Sequence, residues 1–252
     1  MRWWPVALGL VLAACPPPRV VSVVVAPGTS ADEALRDAES AFAKRPDVVA
    51  VKDALRLFQI AAAADATRTE GPTGVVRVAA WLVESGPKNE RTAHADEAVA
   101  AATQCQQRAP GSAPCDYWQA VALGVSAREH VLTALGELPR IITLLKKADA
   151  AAPTLDDAGP ARVLALLLVR APGWPTGPGN PDDALVEAQK AVSRAPNHPL
   201  NHATLAECLA ATGDTDGAKA SYRRAIELGT QRGDADGTAW AAQATAALDA
   251  LK

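Results

Sequence analysis

Apolar residues recur along most of this chain at the three- and four-residue steps that place side chains on one face of an α-helix. The pattern is most regular between Asn180 and Gly229, where positions of one predicted helix are matched 34 residues later in another. The matched residues are Ala184, Ala188 and Ala191 in the first helix and Ala218, Tyr222 and Ala225 in the second. A further helix is predicted between them, so the pattern indicates pairs of packed helices.

The same register extends toward the N-terminus at wider intervals. The equivalent positions are Ala54, Ala98, Ile141, Ala184 and Ala218, and the residue seven positions after each is small: Ala61, Cys105, Ala148, Ala191 and Ala225. A period of 34 residues with small residues at these steps is typical of the tetratricopeptide helix-turn-helix repeat. We therefore predict an all-α fold, a tetratricopeptide-like α-solenoid of about five irregular helix pairs plus a C-terminal capping helix, over residues 30–252.

Proline, glycine and long apolar runs predict where individual helices begin and end. We expect a helix that begins at Val75, a stretch broken near Gly136 and Pro139, and a helix that ends before Gly229. The apolar run Val163–Val169 predicts a helix that is buried nearly all round.

The first residues predict an export signal. Met1-Arg2 precedes an apolar run at residues 6–12, and Leu12-Ala13-Ala14-Cys15 resembles a bacterial lipobox. We predict a signal peptide over residues 1–14, which is removed, and diacylglycerol attachment to Cys15. The alternative is an ordinary cleavage site beside a chance cysteine.

Residues 15–29 are rich in proline and valine, and we predict that they form a lipidated tether. Pro16–Pro18 favour an extended chain, and Val20–Val25 predict either an extended linker or a short strand. No second long apolar segment follows, so we expect the protein to be anchored to a membrane without spanning it. The predicted location is the bacterial cell envelope, facing the periplasm, with the inner and the outer membrane both open.

Composition narrows the class of protein. Hydrophobic residues make up 49% of the 252 residues but aromatic residues only 4%, so the core must be built mainly from alanine, leucine and valine. Such a composition favours closely packed helices. The formal net charge of −3 gives no basic footprint for nucleic acid, which needs clustered lysine and arginine.

Catalytic and cofactor motifs are missing from the sequence. It contains no glycine-rich phosphate loop, no nucleophile elbow and no His-Glu-x-x-His motif, so we predict a protein that is not an enzyme and holds no cofactor or metal. His198 and His202 are four residues apart but lack a third ligand nearby, which favours surface or capping roles. Aspartates at predicted helix starts are interpreted as caps; they are Asp156, Asp157, Asp182, Asp183, Asp214 and Asp234.

Three cysteines remain beyond Cys15. Cys105 lies on a predicted second helix of a pair, and Cys115 lies just before the helix that follows. An oxidising compartment permits a disulfide between them, and the alternative is two small core residues that never pair. Cys208 would then be a buried free thiol.

Binding is the expected role of such a scaffold, because stacked helix pairs create a concave surface lined by the first helix of each pair. Counting from the prolines that precede two first helices, the residues predicted to face this groove are Tyr117, Val121, Ala203 and Glu207. Trp118, next to Tyr117, is either a core residue or part of the same contact surface.

Trp174 lies within the long Pro- and Gly-rich loop Ala171–Gly179. An aromatic residue there is either an exposed contact or a plug over an apolar cavity, and we favour the plug because an exposed tryptophan without a partner is disfavoured.

The lipobox, the irregular repeats and three segments together resemble the TatT-type T component of TRAP transporters. The segments are Asp157–Pro160, Ala171–Pro175 and the helix Asp182–Pro196. The resemblance covers about residues 30 to 252 and implies a periplasm-facing lipoprotein of tetratricopeptide-like helices around an apolar cavity. It also implies work with a periplasmic solute-binding P component, transfer of a hydrophobic ligand, and assembly into homo-oligomers such as trimers.

Two functions follow as hypotheses. The first is a transporter-accessory lipoprotein that binds a solute-binding partner and a small apolar ligand. The second is a cell-envelope scaffold whose groove binds a peptide or an assembly partner, with no small ligand.

Overall fold

The structure is a computed structural model that describes residues 28–251, without the side chains of residues 131–133. The predicted signal peptide, the lipidation at Cys15 and most of the tether lie outside the described residues. The described chain forms eleven α-helices: α1 (Ala31–Phe42), α2 (Val48–Ala64), α3 (Glu70–Ser85), α4 (Arg91–Arg108), α5 (Ala113–Glu129), α6 (Val131–Ala151), α7 (Gly159–Arg170), α8 (Pro181–Arg194), α9 (Pro199–Ala211), α10 (Thr215–Arg232) and α11 (Ala235–Ala250).

Polar side chains begin several of these helices by accepting hydrogen bonds from free backbone amides. Asp47 accepts from the amides of Val49 and Ala50 at the start of α2. Asn180, followed by a proline, caps α8 in the same way. The other side-chain caps with this geometry are Ser30, Asp214 and Asp234.

The helices form five consecutive antiparallel pairs, and α11 packs on the last pair. The predicted all-α solenoid of five pairs with a C-terminal helix is therefore confirmed. The positions of the predicted register lie in its core: Ala54, Ala98, Ile141, Ala184 and Ala218 are all buried, as are Ala61, Cys105, Ala148, Ala191 and Ala225. Small residues at these positions let neighbouring helices approach closely.

The first helix of each pair packs against the first helix of the next. Helix α1 packs against α3, α3 against α5, α5 against α7, and α7 against α9, and α9 in turn packs against α11. The second helices stand further apart in the described chain and are bridged by long side chains such as Gln59 and Glu97. The stack therefore curves with its first helices on the inside. Its two ends meet, because Arg45 in the α1–α2 turn is paired with Asp236 in α11.

Two predicted boundaries near prolines are wrong. Helix α3 begins at Glu70, not Val75, because Pro72 falls in the first turn, where a missing amide costs no helical hydrogen bond. Helix α6 runs unbroken through Pro139, although proline in a helix interior costs about 3 kcal/mol. Its apolar residues pack on a buried cluster, with Ile141 and Leu145 almost fully buried, and this packing holds the helix together.

The predicted end of α10 before Gly229 is also wrong, because the helix continues to Arg232. Gly229 is a packing residue: a Cβ there would lie 2.7 Å from the carbonyl oxygen of Gly237 in α11. The residue that ends α10 is Gly233, whose φ of 70° is the left-handed conformation favoured by glycine.

Helix α7 is less buried than predicted. Within Val163–Val169 only Leu164 and Ala165 are buried, and the other five residues keep partial exposure. The apolar run therefore supplies both the core and a solvent-facing strip. No helix within residues 28–251 is long and apolar enough to cross a membrane.

Candidate functional site: the inner face of the first helices

Equivalent residues recur on four first helices, α3, α5, α7 and α9, each of which contacts the next. Equivalent positions are 44 residues apart between α3 and α5, 42 between α5 and α7, and 37 between α7 and α9. We define the inner face by three such rows: Arg77, Val121, Val163 and Leu200; Ala80, Gly124, Leu166 and Ala203; and Glu84, Arg128, Arg170 and Glu207. None of the twelve is fully buried. The steps of three and four residues keep the rows on one side of each helix.

The first row and the middle row of the inner face are mostly apolar. Val121, Val163, Leu166 and Ala203 are all partly exposed there. Gly124 lies among them in the interior of α5, and a Cβ at that position would meet no heavy atom within 4 Å. We call this open space over the Gly124 backbone the notch.

The rim of the inner face is charged, and its charges pair between neighbouring helices. Arg128 donates to Glu84 at 3.0 Å. Arg170 makes two bonds to Glu207, from Nε at 2.6 Å and from Nη2 at 2.7 Å. The hydrogen bond to Glu207 raises the pKa of Arg170, and the charge of Glu84 adds to that effect. The ends of α3, α7 and α9 are thus electrostatically coupled along one rim.

Three predicted groove residues, Val121, Ala203 and Glu207, belong to the inner face as defined above, and each is partly exposed. Trp118 is partly buried and packs between the core of the first two helix pairs and that of the third. Trp81 of α3 packs on the first of these cores. Gly124 and Arg170 were not predicted from the sequence. Arg170 lies 37 residues before Glu207, and Gly124 lies 42 residues before Leu166, which itself lies 37 residues before Ala203. Counting back by these steps would have identified both.

Tyr117 does not face the groove, contrary to the prediction. Its side chain is 2% exposed, and its hydroxyl donates to Asp156 Oδ2 at 2.5 Å. Burial, reinforced by the negative charge of Asp156, raises its pKa well above the ordinary value. The side chain points toward the α6–α7 loop, where it anchors a polar network.

That network stabilises a left-handed turn. Asp156, Asp157 and Ala158 have φ angles of 51°, 52° and 64°, a conformation that is uncommon without glycine. The guanidinium of Arg162 donates to Asp156 Oδ2 at 2.7 Å and to the carbonyl oxygens of Asp156 and Asp157, both at 3.1 Å. Asp156 and Asp157, predicted as helix caps, instead shape this turn.

Asn201 completes the network from α9. It is fully buried, and its amide donates to the carbonyl oxygens of Asp157, Ala191 and Ala195 at 3.0, 3.1 and 3.0 Å. Its Oδ1 accepts from Arg162 Nη1 at 3.0 Å. One side chain therefore joins the α6–α7 turn to the end of α8.

His198 and His202 make separate contacts in the structure. His202 Nε2 lies 2.7 Å from the carbonyl oxygen of Pro196. His198, predicted at the surface or as a cap, is largely buried beside Trp240, with 5.1 Å between ring centroids. No group of three or more metal-ligating side chains occurs in the described part of the chain.

Trp174 is not a plug. Its side chain is 90% exposed, which overturns the favoured prediction. The loop that carries it is closed by its own hydrogen bonds: the Gly179 amide donates to Pro172 O at 2.8 Å, and the Asn180 amide donates to Leu168 O at 2.9 Å. The loop hydrogen bonds hold the indole outward, away from the core.

Cys105 and Cys115 form a disulfide that joins α4 to α5. Cys115 lies inside the first turn of α5, which begins at Ala113, and not just before the helix as predicted. Cys208 is a buried free thiol whose pKa is raised to about 12, mainly by burial.

Two grooves lie away from the inner face and are lined mostly by polar residues. One, of about 430 Å³, lies between α2 and α4 and is bordered by Lys52, Glu90, His94 and Glu97. The other, of about 480 Å³, lies beside α6 and includes Asp116, Arg140 and Lys147. Neither groove is lined by a residue of the inner face.

Comparison with known proteins agrees with this architecture. Residues 177–245 match the sequence family model of the tetratricopeptide repeat, which covers α8 to α10 and most of α11. The fold is a tetratricopeptide-type solenoid. No curated protein sequence matches the chain significantly.

Solved structures extend the similarity to the earlier helices. The tetratricopeptide protein TTC0263 of Thermus thermophilus superposes with a TM-score of 0.59 at 21% identity, covering 86% of this chain and 99% of that one. MamA gives a TM-score of 0.46 at 16% identity, covering 73% of this chain and 92% of its own. These likenesses concern the fold alone.

Proposed function

We propose that this protein is a lipid-anchored, periplasm-facing scaffold of the tetratricopeptide type that binds a segment of a partner protein along its inner face. The observation that carries the proposal is the arrangement of that face. Its middle row offers the aliphatic Leu166 and the open notch at Gly124, while its rim offers the paired charges of Arg170 and Glu207. An apolar strip supplies affinity through burial, and charges at the rim favour one orientation of a partner.

Two features support a location in the cell envelope. The lipobox-like sequence ending at Cys15 precedes the described residues. The Cys105–Cys115 disulfide is a bond that persists in oxidising compartments such as the periplasm. Lipid labelling tests the proposed lipid anchor. Cys15→Ala should abolish incorporation of labelled lipid, and unchanged labelling would contradict lipidation at Cys15.

The resemblance to TatT-type T components makes a periplasmic solute-binding P component the first partner to test. In that role the protein is a TRAP-transporter accessory, and a hydrophobic small molecule is a second occupant of the apolar middle row. The alternative is a scaffold for another envelope protein with no small ligand. Native mass spectrometry of the purified protein separates these two cases by the presence of a bound small molecule.

Photocrosslinking tests the face itself. A benzoyl-phenylalanine residue replaces either Leu166 on the inner face or Val186, a 50% exposed residue on the outer helix α8. We expect crosslinks to the solute-binding protein from position 166 and none from position 186. A different envelope protein at position 166 would favour the alternative scaffold. Equal crosslinking from both positions would contradict binding at the inner face.

A further inference from the structure

The groove between α5 and α6 contains polar side chains that the packing of the helices does not use. Its volume of about 480 Å³ is within the range of small-molecule sites. Among the residues that line it are Gln106 of α4, Asp116 and Gln119 of α5, and Arg140 and Lys147 of α6. Asp116 and Gln119 are almost fully buried, at 5% and 7% exposure.

Asp116 is a buried carboxylate without a cationic partner. Its Oδ1 accepts a hydrogen bond from Gln106 Nε2 at 2.7 Å, and its side chain makes no other hydrogen bond or ion pair within residues 28–251. A neutral amide leaves the negative charge uncompensated, and a buried charge is costly unless it is paired. The helix dipole at the first turn of α5 offsets part of that cost. The second oxygen remains free to accept from a cationic donor.

Gln119 lies three residues after Asp116 on the same helix and lines the same groove. Its side-chain amide forms no hydrogen bond to another residue in the described part of the chain. A buried amide without a partner costs stability, whereas an apolar residue of the same shape would not. The chain therefore retains at this position a donor and an acceptor that its own fold leaves unpaired.

The Cys105–Cys115 disulfide holds the acidic end of the groove in place. Gln106 directly follows Cys105, and Asp116 directly follows Cys115. The bridge brings the α-carbons of the two cysteines to 5.4 Å from each other. Because each polar residue is adjacent to one end of a covalent link, the hydrogen bond between Gln106 and Asp116 is formed before any ligand binds. Such preorganisation lowers the entropic cost of binding.

The opposite charge lines the same groove from α6. Lys147 forms no hydrogen bond or ion pair with another described residue. Arg140 has a single weak partner, because its Nη1 lies 3.7 Å from Oε2 of Glu137. A carboxylate of α5 and two cations of α6 thus border one open volume without pairing with each other.

We propose that this groove binds a small zwitterion, with the ammonium group of the ligand on Asp116 and its carboxylate on Lys147 and Arg140. Free α-amino acids are the simplest molecules that carry both charges. The amide of Gln119 can donate to the carboxylate or accept from the ammonium group. Leu144, which is 9% exposed, gives the groove an apolar patch for the rest of the ligand. This inference goes beyond the proposed function, because the groove is separate from the face proposed for a partner.

Isothermal titration of the mature chain carrying Cys15→Ser tests the groove with each common L-amino acid in turn. We expect at least one of them to bind with a dissociation constant below about 1 mM. Its N-acetyl derivative lacks the ammonium group and its C-terminal amide lacks the carboxylate, so each should bind at least about tenfold more weakly. Absence of binding by every amino acid, or equal binding of either derivative, would overturn the proposal.

Two adjacent lysines provide a matched pair of variants. Both are exposed, but Lys147 lines the groove and Lys146 does not. Lys147→Gln should weaken binding of the best amino acid about threefold to fivefold, whereas Lys146→Gln should leave it unchanged. Equal effects of the two substitutions would overturn the proposal, because the ligand would then respond only to the net charge of the protein.

Two further variants test the buried end of the groove. Asp116→Asn keeps an oxygen that accepts from Gln106 but loses the negative charge, so binding should fall at least about tenfold. Gln119→Met should also weaken binding, while the melting temperature of the free protein stays the same or rises, because an unpaired buried amide is removed. Unweakened binding in a folded Asp116→Asn variant would overturn the proposal. The exposed Lys147 decides the outcome if that variant does not fold.

Failure of this inference is distinguishable from failure of the proposed function. Crosslinking of a partner from position 166, with no amino acid bound in titration, would leave the scaffold role intact and remove only the groove ligand. Amino-acid binding that depends on Lys147, with no crosslink from position 166, would retain the groove ligand and contradict binding at the inner face.

Discussion

Arg45 and Asp236 are 191 residues apart in the sequence and are joined in the structure by two hydrogen bonds. Nε of Arg45 lies 2.8 Å from Oδ1 of Asp236, and Nη2 lies 2.5 Å from Oδ2. Both side chains are largely withdrawn from solvent, at 17% and 19% exposure. One residue belongs to the turn between α1 and α2 and the other to α11, so the pair joins the two ends of the described helical stack.

Removing this ion pair should let the two ends of the helical stack move apart. We expect Arg45→Met or Asp236→Asn to lower the free energy of unfolding by about 1–2 kcal/mol, with a coupling of about 1 kcal/mol in the double-mutant cycle. Urea unfolding measures the energies, and small-angle scattering should show a larger radius of gyration. Arg56→Met is the control, because its pair with Asp53 is exposed and should contribute less than about 0.5 kcal/mol. An unchanged radius in the Arg45 variant would show that the pair does not hold the curve.

Asn201 should be among the most sensitive positions of the chain. Asn201→Asp keeps the shape of the side chain but replaces its amide donor with an acceptor facing three carbonyl oxygens. We expect a loss of about 3 kcal/mol, since each unpaired buried polar group costs about 1–3 kcal/mol. Chemical unfolding measures it, and the exposed neighbour Asn197, changed to Asp, should lose less than about 0.5 kcal/mol. Similar losses in both would contradict the role of the network.

Local periodicity was sufficient to predict the helix pairs. Ala54, Ala98 and Ala184 are buried because small residues at fixed steps are what close helix packing needs. The network around Asn201 could not be predicted in the same way. Its partner Arg162 is 39 residues away and looks like an ordinary charged helix residue until the fold brings the two together.

Exposure was the property that local patterns predicted worst. Tyr117 was expected in the groove and is buried, while Trp174 was expected to be buried and is exposed. Both outcomes depend on how the α6–α7 turn and the α7–α8 loop fold back on neighbouring helices. The open space at Gly124 also depends on where the neighbouring helices lie, which local patterns do not give.

Replacing Gly124 should separate stability from binding. Gly124→Ala should raise the free energy of unfolding by about 0.5–1 kcal/mol, because alanine is the better helix former. Gly136→Ala should stabilise to a similar extent, since its Cβ also meets no heavy atom within 4 Å. Gly124→Leu fills the notch and should weaken partner binding at least tenfold, whereas Gly136→Leu should not. Calorimetry measures stability and titration measures binding. Equal losses of partner binding in Gly124→Leu and Gly136→Leu would contradict a role of the notch in binding.

The free energy of unfolding should depend on the backbone of the Trp174 loop and hardly at all on the indole at its tip. Trp174→Ala should change the free energy of unfolding by less than about 0.5 kcal/mol, because the indole is exposed. Gly179→Ala should cost about 1–3 kcal/mol, since its Cβ would collide with the carbonyl oxygen of Ala171 and lie 2.8 Å from that of Pro172. Thermal unfolding compares the two. A large loss for Trp174→Ala would mean that the indole packs against the fold.

His198 should make the protein less stable in mild acid. Burial, with a further contribution from the charge of Arg162, lowers the pKa of its imidazole from 6.5 to about 4. Between these values the unfolded chain binds a proton that the folded chain does not, so stability is fully present above about pH 6.5 and falls as the pH drops toward 4.

We expect a loss of about 1–2 kcal/mol between pH 7 and pH 5, after allowance for solvent screening. His198→Gln removes the titrating group, and its unfolding free energy should change less over this range than that of the unmodified protein. His202→Gln retains His198 and is the matched control, so it should keep the full slope. Urea unfolding at both pH values measures the difference. Equal slopes in the two variants would contradict the assignment, because the acid sensitivity would then come from groups other than the buried imidazole beside Trp240.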